Sequence, residues 1–456
     1  MASSADDAAY WRAAVQRCRH RLANGDVASS ADVEIRASDR RGGRGVFAMR
    51  AFAEGECVLI EDPLVAAQHE SNKPHARVCA QCFRYVGSVS SAVGKRLLTK
   101  FGRDGDNAPS TSSLSGGLTM GDLARLASGE VSLPGAQVFD GPTEHPCVGE
   151  CAENVYCSET CAKNAWNSDE SLMCLGAQGL ACDKRALEEF YAHARETNDI
   201  FIVAGKALAN MCLRARDFRR QFEVTHGKST VETRDEAAAE TFARKPYVAV
   251  AHAPWWETIA TPEECEDEAS ELEFRKTLRT LAHDSLDLLR HAWSDAASEF
   301  PSLFTLDTYG ALIGAFELNN LELVVESPVE NYFLAVDDAP EGEAKQAITR
   351  ITQPLLDALD KDYDIPCLGT ALFSVQSGLN HDCDPNSEPF KDERDITGAC
   401  TIVARRDIAA GEEITISYLD DDDKSRDERQ DALADYGFVC RCDRCENELM
   451  VTRRRR

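Results

Sequence analysis

Eleven of the eighteen cysteines fall into two groups, and these are the residues whose types and spacing point most directly to chemistry. The first group is Cys79, Cys82, Cys147, Cys151, Cys157, Cys161 and Cys174. The pairs Cys79–Cys82 and Cys157–Cys161 have gaps that let one turn of chain offer two thiolates to one ion. Two such pairs supply the four tetrahedral ligands that zinc takes. Cys147, Cys151 and Cys174 offer three more thiolates and leave a fourth place open. The second group is Cys440, Cys442 and Cys445, again three thiolates close in sequence, together with Cys383 further upstream. Cys383 completes a tetrahedron there if the C-terminal segment folds back over it. Cys383 lies in Leu379-Asn380-His381-Asp382-Cys383-Asp384-Pro385-Asn386, where two amides, a histidine, a cysteine and a proline crowd together. Further on, Gly411-Glu412-Glu413-Ile414-Thr415-Ile416-Ser417-Tyr418 ends in a tyrosine. Taken singly, an Asn-His pair reads as a capped turn and a strand-end tyrosine as core; their order and spacing carry the argument.

Short strands and turns must position these groups. A strand pattern begins at Val33-Glu34-Ile35-Arg36. The segment Arg41-Gly42-Gly43-Arg44-Gly45 follows, and its glycines permit a tight turn or close approach to a ligand. Cys57-Val58-Leu59-Ile60 is the next strand, and the apolar run Leu372-Phe373-Ser374-Val375 leads into the Asn-His block. Ile414, Ile416 and Tyr418 share one face by alternation. Residues 1–30 read as an amphipathic helix around Trp11, Val15 and Leu22, or as a loose arm. Residues 102–117 are Gly/Ser/Asp-rich and read as a loop. Residues 187–220 have a helical pattern without proline. An acidic helix is expected after Pro262, with further helices over 278–293, 308–323 and 428–436. Residues 420–423 read as an acidic turn, and Arg453 to Arg456 as a solvated end.

The chain has 456 residues, 43% of them hydrophobic, which fits a globular protein of more than one domain. No apolar run is long enough to span a membrane. The N-terminus lacks a secretory signal, so a cytosolic or nuclear setting is expected. A reducing setting disfavours disulfides and favours metal at clustered cysteines. Most of the other seven cysteines (Cys18, Cys57, Cys182, Cys212, Cys265, Cys367, Cys400) are expected to be small buried hydrophobes. A net charge of −28 argues against binding a nucleic-acid backbone. It favours encounter with basic protein segments, or serves solubility alone.

The Asn-His block, the strand ending at Tyr418 and the Cys-x-Cys-x-x-Cys ending, in that order, resemble the catalytic end of SET-domain protein lysine methyltransferases. Tyr156-Cys157-Ser158-Glu159-Thr160-Cys161, Ala165-Trp166 and Cys174 resemble a MYND zinc module. A SET domain split by such a module is the mark of the SET-and-MYND family. Glu61-Asp62-Pro63-Leu64-Val65-Ala66-Ala67-Gln68 looks most like its fifth, divergent member. The resemblance implies an α+β fold: a β-rich SET domain with a pseudoknot, an inserted MYND module, a helical insert and a cysteine-rich post-SET zinc segment. The expected divisions are an arm at 1–30, the first SET part at 31–78 and the module with its loop at 79–175. The helical insert follows at 176–365, the catalytic SET core at 366–424 and the post-SET segment at 425–456.

By the same resemblance the cofactor is S-adenosylmethionine, held by Gly43, Arg44, Gly45, Asn319, Asn380 and His381. Tyr418 matches the catalytic tyrosine, and Tyr436 and Phe438 would line a lysine channel. In the MYND pattern Glu170 stands where a histidine is usual, and the Cys147–Cys151 gap has three residues where two are usual. A carboxylate can bind zinc, so Glu170, or nearby His145, would complete that site. Two to three zinc ions are expected, with Cys383, Cys440, Cys442 and Cys445 holding the last. The implied activity is S-adenosylmethionine-dependent lysine N-methylation of a basic protein, histone or non-histone, including ribosomal, by a monomer. The alternative is an inert SET-MYND adaptor that binds partner peptides.

Overall fold

The computed structural model describes residues 4–21, 27–29, 31–41, 43–102, 117–226, 233–262, 264–265, 267–319, 321–392, 395–419 and 424–455. The sequence 57–61 is apolar until its last residue, and it forms the Cys57–Glu61 strand, buried along nearly all its length. Its sheet runs Ser387–Phe390, Cys400–Ala404, Cys57–Glu61, Arg19–Arg21, Val27–Ser29. A second sheet is ordered Asn380–His381, Glu413–Ile416, Arg44–Ala48, Val33–Ala37. Asn380–His381 pairs parallel with Glu413–Ile416, His381 opposite Ile416. Glu413–Ile416 pairs in turn with Arg44–Ala48. The glycine segment, the Asn-His block and the strand that delivers Tyr418 are therefore immediate neighbours, although they are far apart in sequence. Both sheets share one apolar core that includes Val46, Leu59, Phe373, Val375, Ile402 and Ile414.

The helical region differs in detail from the periodicity. The pattern over 187–220 is two helices, Lys184–Thr197 and Ile200–His226. The break falls at Asn198, whose side chain accepts from the Ile200 N–H and caps the second helix. The acidic helix starts at Glu268, not directly after Pro262, because Asp267 and Ser270 form a capping box there. The helix expected over 308–323 ends at Asn319, and Leu321–Val325 is a strand. Leu323 and Val325 are buried while Glu322 and Val324 face out, a period-two pattern masked by the adjoining helix. This strand joins Cys367–Leu372 and Val65–Gln68 in a three-stranded sheet.

The glycine-rich stretch 103–116 and the turn at 420–423 lie outside the described residues. The flanks of the former are helices, Val89–Gly102 and Met120–Ala127. With Pro328–Asp337 and Glu343–Leu359 they enclose a separate core of Val93, Leu97, Leu123, Tyr332 and Leu355. The N-terminal stretch is no loose arm: Ser4–Arg17 is a helix that buries Trp11, Ala14 and Val15. Of the seven scattered cysteines, Cys18, Cys212, Cys367 and Cys400 are buried and Cys57 and Cys265 half-buried, but Cys182 is exposed. The chain's end continues as the helix Asp443–Arg455. Among the described residues no helix is long and apolar enough to cross a membrane.

Candidate active site and metal centres

Close approach of three strands begins at Gly45. A Cβ there would lie 2.3 Å from Glu413 Oε1 and 3.0 Å from Asn380 Nδ2. Asn380 Nδ2 donates to the Arg44 carbonyl at 2.8 Å and to Glu413 Oε1 at 2.7 Å. Glu413 also accepts from Ser38 Oγ at 2.9 Å. Arg41 pairs with Asp382 and lies 3.8 Å from Glu413. Gly43 has φ +66°, a left-handed backbone that glycine adopts without strain.

His381 links two parts of the site. Its Nδ1 accepts from the Tyr418 N–H at 3.0 Å, and its Nε2 lies 3.2 Å from Cys383 Sγ. Burial pushes its pKa down to about 4, so the ring is neutral. The Tyr418 hydroxyl donates to the Leu379 carbonyl at 2.6 Å. Burial raises the phenol's pKa, which keeps that proton in place. The Tyr418 ring meets Tyr436 at 5.1 Å between centroids and Phe438 edge-on at 6.2 Å.

Two cavities adjoin at these aromatics. One, of about 790 Å³, is lined by Gly43, Arg44, Asn380, His381 and Phe438. The other, of about 720 Å³, is lined by Glu322, Leu379, Glu388 and Ser417. Asn319, Ser377, Tyr418 and Tyr436 line both. Of the residues singled out from sequence, Gly45 stands behind the wall instead of lining it. The Asn319 carboxamide donates to the carbonyls of Ala251 and Ala315 at 2.7 Å each. Both volumes fall in the range of small-molecule sites. The arrangement suits two ligands that meet beside one phenol.

The structure brings together three groups of four ligand atoms, each within 4.8 Å of one another: Cys79/Cys82/Cys157/Cys161, Cys383/Cys440/Cys442/Cys445 and Cys147/Cys151/Glu170/Cys174. Tetrahedral zinc with Zn–S near 2.3 Å needs sulfurs about 3.8 Å apart. Cys82 and Cys157 are 3.6 Å apart, and Cys383 lies 3.8 Å from Cys440 and 3.5 Å from Cys445. In the third group Glu170 Oε1 lies 3.6 Å from Cys147 Sγ and 3.8 Å from Cys151 Sγ. The donor sets fit zinc. Glu170, and not His145, occupies the open place; His145 Nδ1 lies 3.1 Å from the Pro146 carbonyl. A single π-helical turn, Trp166–Glu170, sets Glu170 facing the sulfurs. Asn154 Nδ2 holds both its oxygens, at 3.0 and 2.9 Å.

Sequence reasoning missed several wall residues of the larger cavity: Trp11, Arg41 and the turn Ala249 to Ala251. Arg44 ties two of these together, its guanidinium 5.0 Å from the Trp11 ring and bonded to the Ala249 carbonyl. Nothing local marks the 249–251 turn, whereas the buried face of Trp11 was legible as amphipathic. Around the C-terminal sulfurs it missed Arg429 and Gln430, which donate to Cys445 Sγ at 3.5 and 3.3 Å.

Residues 43–419 match the SET domain family. The histone-lysine N-methyltransferase ATXR2 of Arabidopsis thaliana is 40% identical over 423 residues, covering 88% of each chain. The protein-lysine N-trimethyltransferase SMYD5 of Danio rerio is 25% identical over 439 residues, 91% of this chain and 88% of its own. The human SMYD5 is 25% identical over 431 residues, 91% of this chain and 86% of its own. With the site geometry above, these matches identify the chain as a member of the SET-domain family of protein lysine methyltransferases.

Proposed function

We propose that this protein uses S-adenosylmethionine to methylate lysines in basic segments of other proteins, histone or non-histone, in the cytosol or nucleus. The observation that carries this reading is the position of Tyr418, on the seam between the two cavities. S-adenosylmethionine, when bound, supplies the methyl group, and Gly43, Arg44, Asn380 and His381 would hold it in the larger cavity. The smaller cavity would take the lysine and its flanks. Glu322 and Glu388 at its wall favour a basic segment, although Glu388 already lies 3.3 Å from Arg405.

Methyl transfer is an in-line displacement, and alignment of donor and acceptor is most of what a protein contributes. The lysine must also arrive neutral, against an unperturbed pKa of about 10.4. Tyr418, Tyr436 and Phe438 would line the lysine's passage, and an apolar wall there would disfavour the ammonium. The Tyr418 hydroxyl, oriented by the Leu379 carbonyl, would direct the amine lone pair. The seven-cysteine region would be a MYND module, with Glu170 replacing histidine. The C-terminal tetrad would be a post-SET zinc site that ties the Asn-His block to the segment carrying Phe438. The complete set of Asn380, His381 and Tyr418 weighs against an inert adaptor.

The test is incubation with isotopically labelled S-adenosylmethionine and a panel of basic and acidic proteins, read by mass spectrometry. Label on lysines of the basic set is expected. Label on no lysine, with cofactor bound, would overturn the reading.

A further inference from the structure

Glu61 ends the Cys57–Glu61 strand with its side chain buried. Among the described residues it forms no ion pair. Its Oε1 accepts the N–H groups of Ser374 and Val375 at 2.8 and 2.9 Å. Its Oε2 accepts those of Val375 and Gln376 at 3.0 and 2.8 Å. Successive backbone N–H groups converging on one anion form a nest. Burial pushes the acid's pKa up to about 7, against the pull of these bonds and of the Arg17 charge. Burying a carboxylate without a paired cation is unfavourable, and an apolar residue at a strand end would cost less. Overall stability is therefore a poor reason for this group.

The reason lies in what the nest holds. Val375 and Gln376 carbonyls accept from the N–H groups of Gly378 and Leu379, both at 2.9 Å, which closes the turn. Ser377 and Gly378 on that turn line the larger cavity. The Leu379 carbonyl receives the Tyr418 hydroxyl, and Asn380 comes next. The N-terminal helix supports the same turn, with the Tyr10 hydroxyl 3.4 Å from Ser374 Oγ. One buried carboxylate thus fixes the turn on which the cavity wall, the tyrosine's acceptor and the Asn-His block all depend.

We infer that Glu61 is a positioning residue of the active site, acting through the 374–376 nest. It touches neither cavity, and the inference rests on the proposed function for what the turn serves. Glu61→Gln keeps the shape but turns one oxygen into a donor facing N–H groups. The variant should fold with a melting temperature near that of the wild type. Its affinity for S-adenosylhomocysteine, measured by calorimetry, should fall at least about tenfold, and methyl transfer at saturating cofactor should fall as well. Amide hydrogen exchange at 374–376 should accelerate by a similar factor, with exchange in the 147–174 region unchanged. Glu61→Asp, which keeps the charge, should recover part of each effect. Wild-type affinity and wild-type exchange in Glu61→Gln would overturn the inference. Should Glu61→Gln not fold, Glu61→Asp decides by the same two readings. Failure of both to fold would make Glu61 a stability residue and would also overturn it. A wild-type protein that binds no S-adenosylhomocysteine would count against the proposed function, while exchange at 374–376 would still judge Glu61.

Discussion

The two cysteine-rich regions use the same chemistry in different places. At the C-terminus, Cys383 is two residues from His381 in sequence and 3.2 Å from its ring. Phe438, just before Cys440, packs on both His381 and Tyr418. The tetrad and the aromatics Tyr418 and Phe438 pack as one unit. In the 147–174 region no ligand lines either cavity, and the residues beside the ligands bond to the helices. Lys206 lies 3.4 Å from Asp169, Asn210 donates to Ser168, and the Trp293 indole donates to the Leu172 carbonyl. Position, not ligand type, would then decide whether a bound metal serves the chemistry or the scaffold.

Cys442→Ser should break this comparison with the largest effect. Without the fourth thiolate the C-terminal segment loses its tie, and a displacement near 1 Å is enough for a loss of about 100-fold in methyl transfer. Zinc analysis should show one ion fewer, with the other sites filled. Full activity without that ion would make the tetrad a remote clip.

Glu170→Gln should show the opposite profile. An amide is a poor zinc ligand, so one ion per chain should be lost from an expected three. The melting temperature should drop, because the Trp166–Glu170 turn anchors the region to the helices. Transfer by the folded protein should change by less than about tenfold. Elemental analysis with and without the substitution checks the first point, and a saturated turnover assay the second. Cys82→Ser should remove a different ion and alter transfer within about threefold, as expected for a site that lines neither cavity.

The smallest effect concerns pH. The Glu61 carboxyl titrates at about 7 when folded, above its ordinary value of 4.5. Its contribution to stability is therefore full below about 4.5 and lost as pH rises through about 7. The groups that influence it or are influenced by it are Arg17, Tyr10 and Cys18 on the N-terminal side and Cys400 on the adjacent strand. Melting of the wild type should fall more steeply between pH 5 and pH 8 than that of Glu61→Gln. Parallel slopes would mean that another group sets the dependence.

What was legible in sequence was local. Cysteine gaps, the Asn-His block and the alternation up to Tyr418 are short-range patterns, and the structure assembles all three. What was hidden depends on distant partners. Glu61 reads as an ordinary strand end until the turn at 374–376 closes on it. Trp11 reads as core, and only the fold brings it beside Arg44. Leu321–Val325 was absorbed into a helix because five residues of alternation cannot outweigh the fourteen-residue helix before them. The choice between Glu170 and His145 turned on a π-helical turn that spacing alone does not announce.

Methyl transfer is proposed to take place beside the Tyr418 hydroxyl, where the two cavities adjoin. Tyr418→Phe removes that hydroxyl and its bond to the Leu379 carbonyl while keeping the ring against Tyr436 and Phe438. The direct measurement is single-turnover methyl transfer from labelled S-adenosylmethionine, alongside calorimetric cofactor affinity on the same preparation. Unchanged affinity, within about twofold, is expected, with transfer reduced by about 100-fold or more. Transfer at the wild-type rate, with affinity intact, would contradict this proposal.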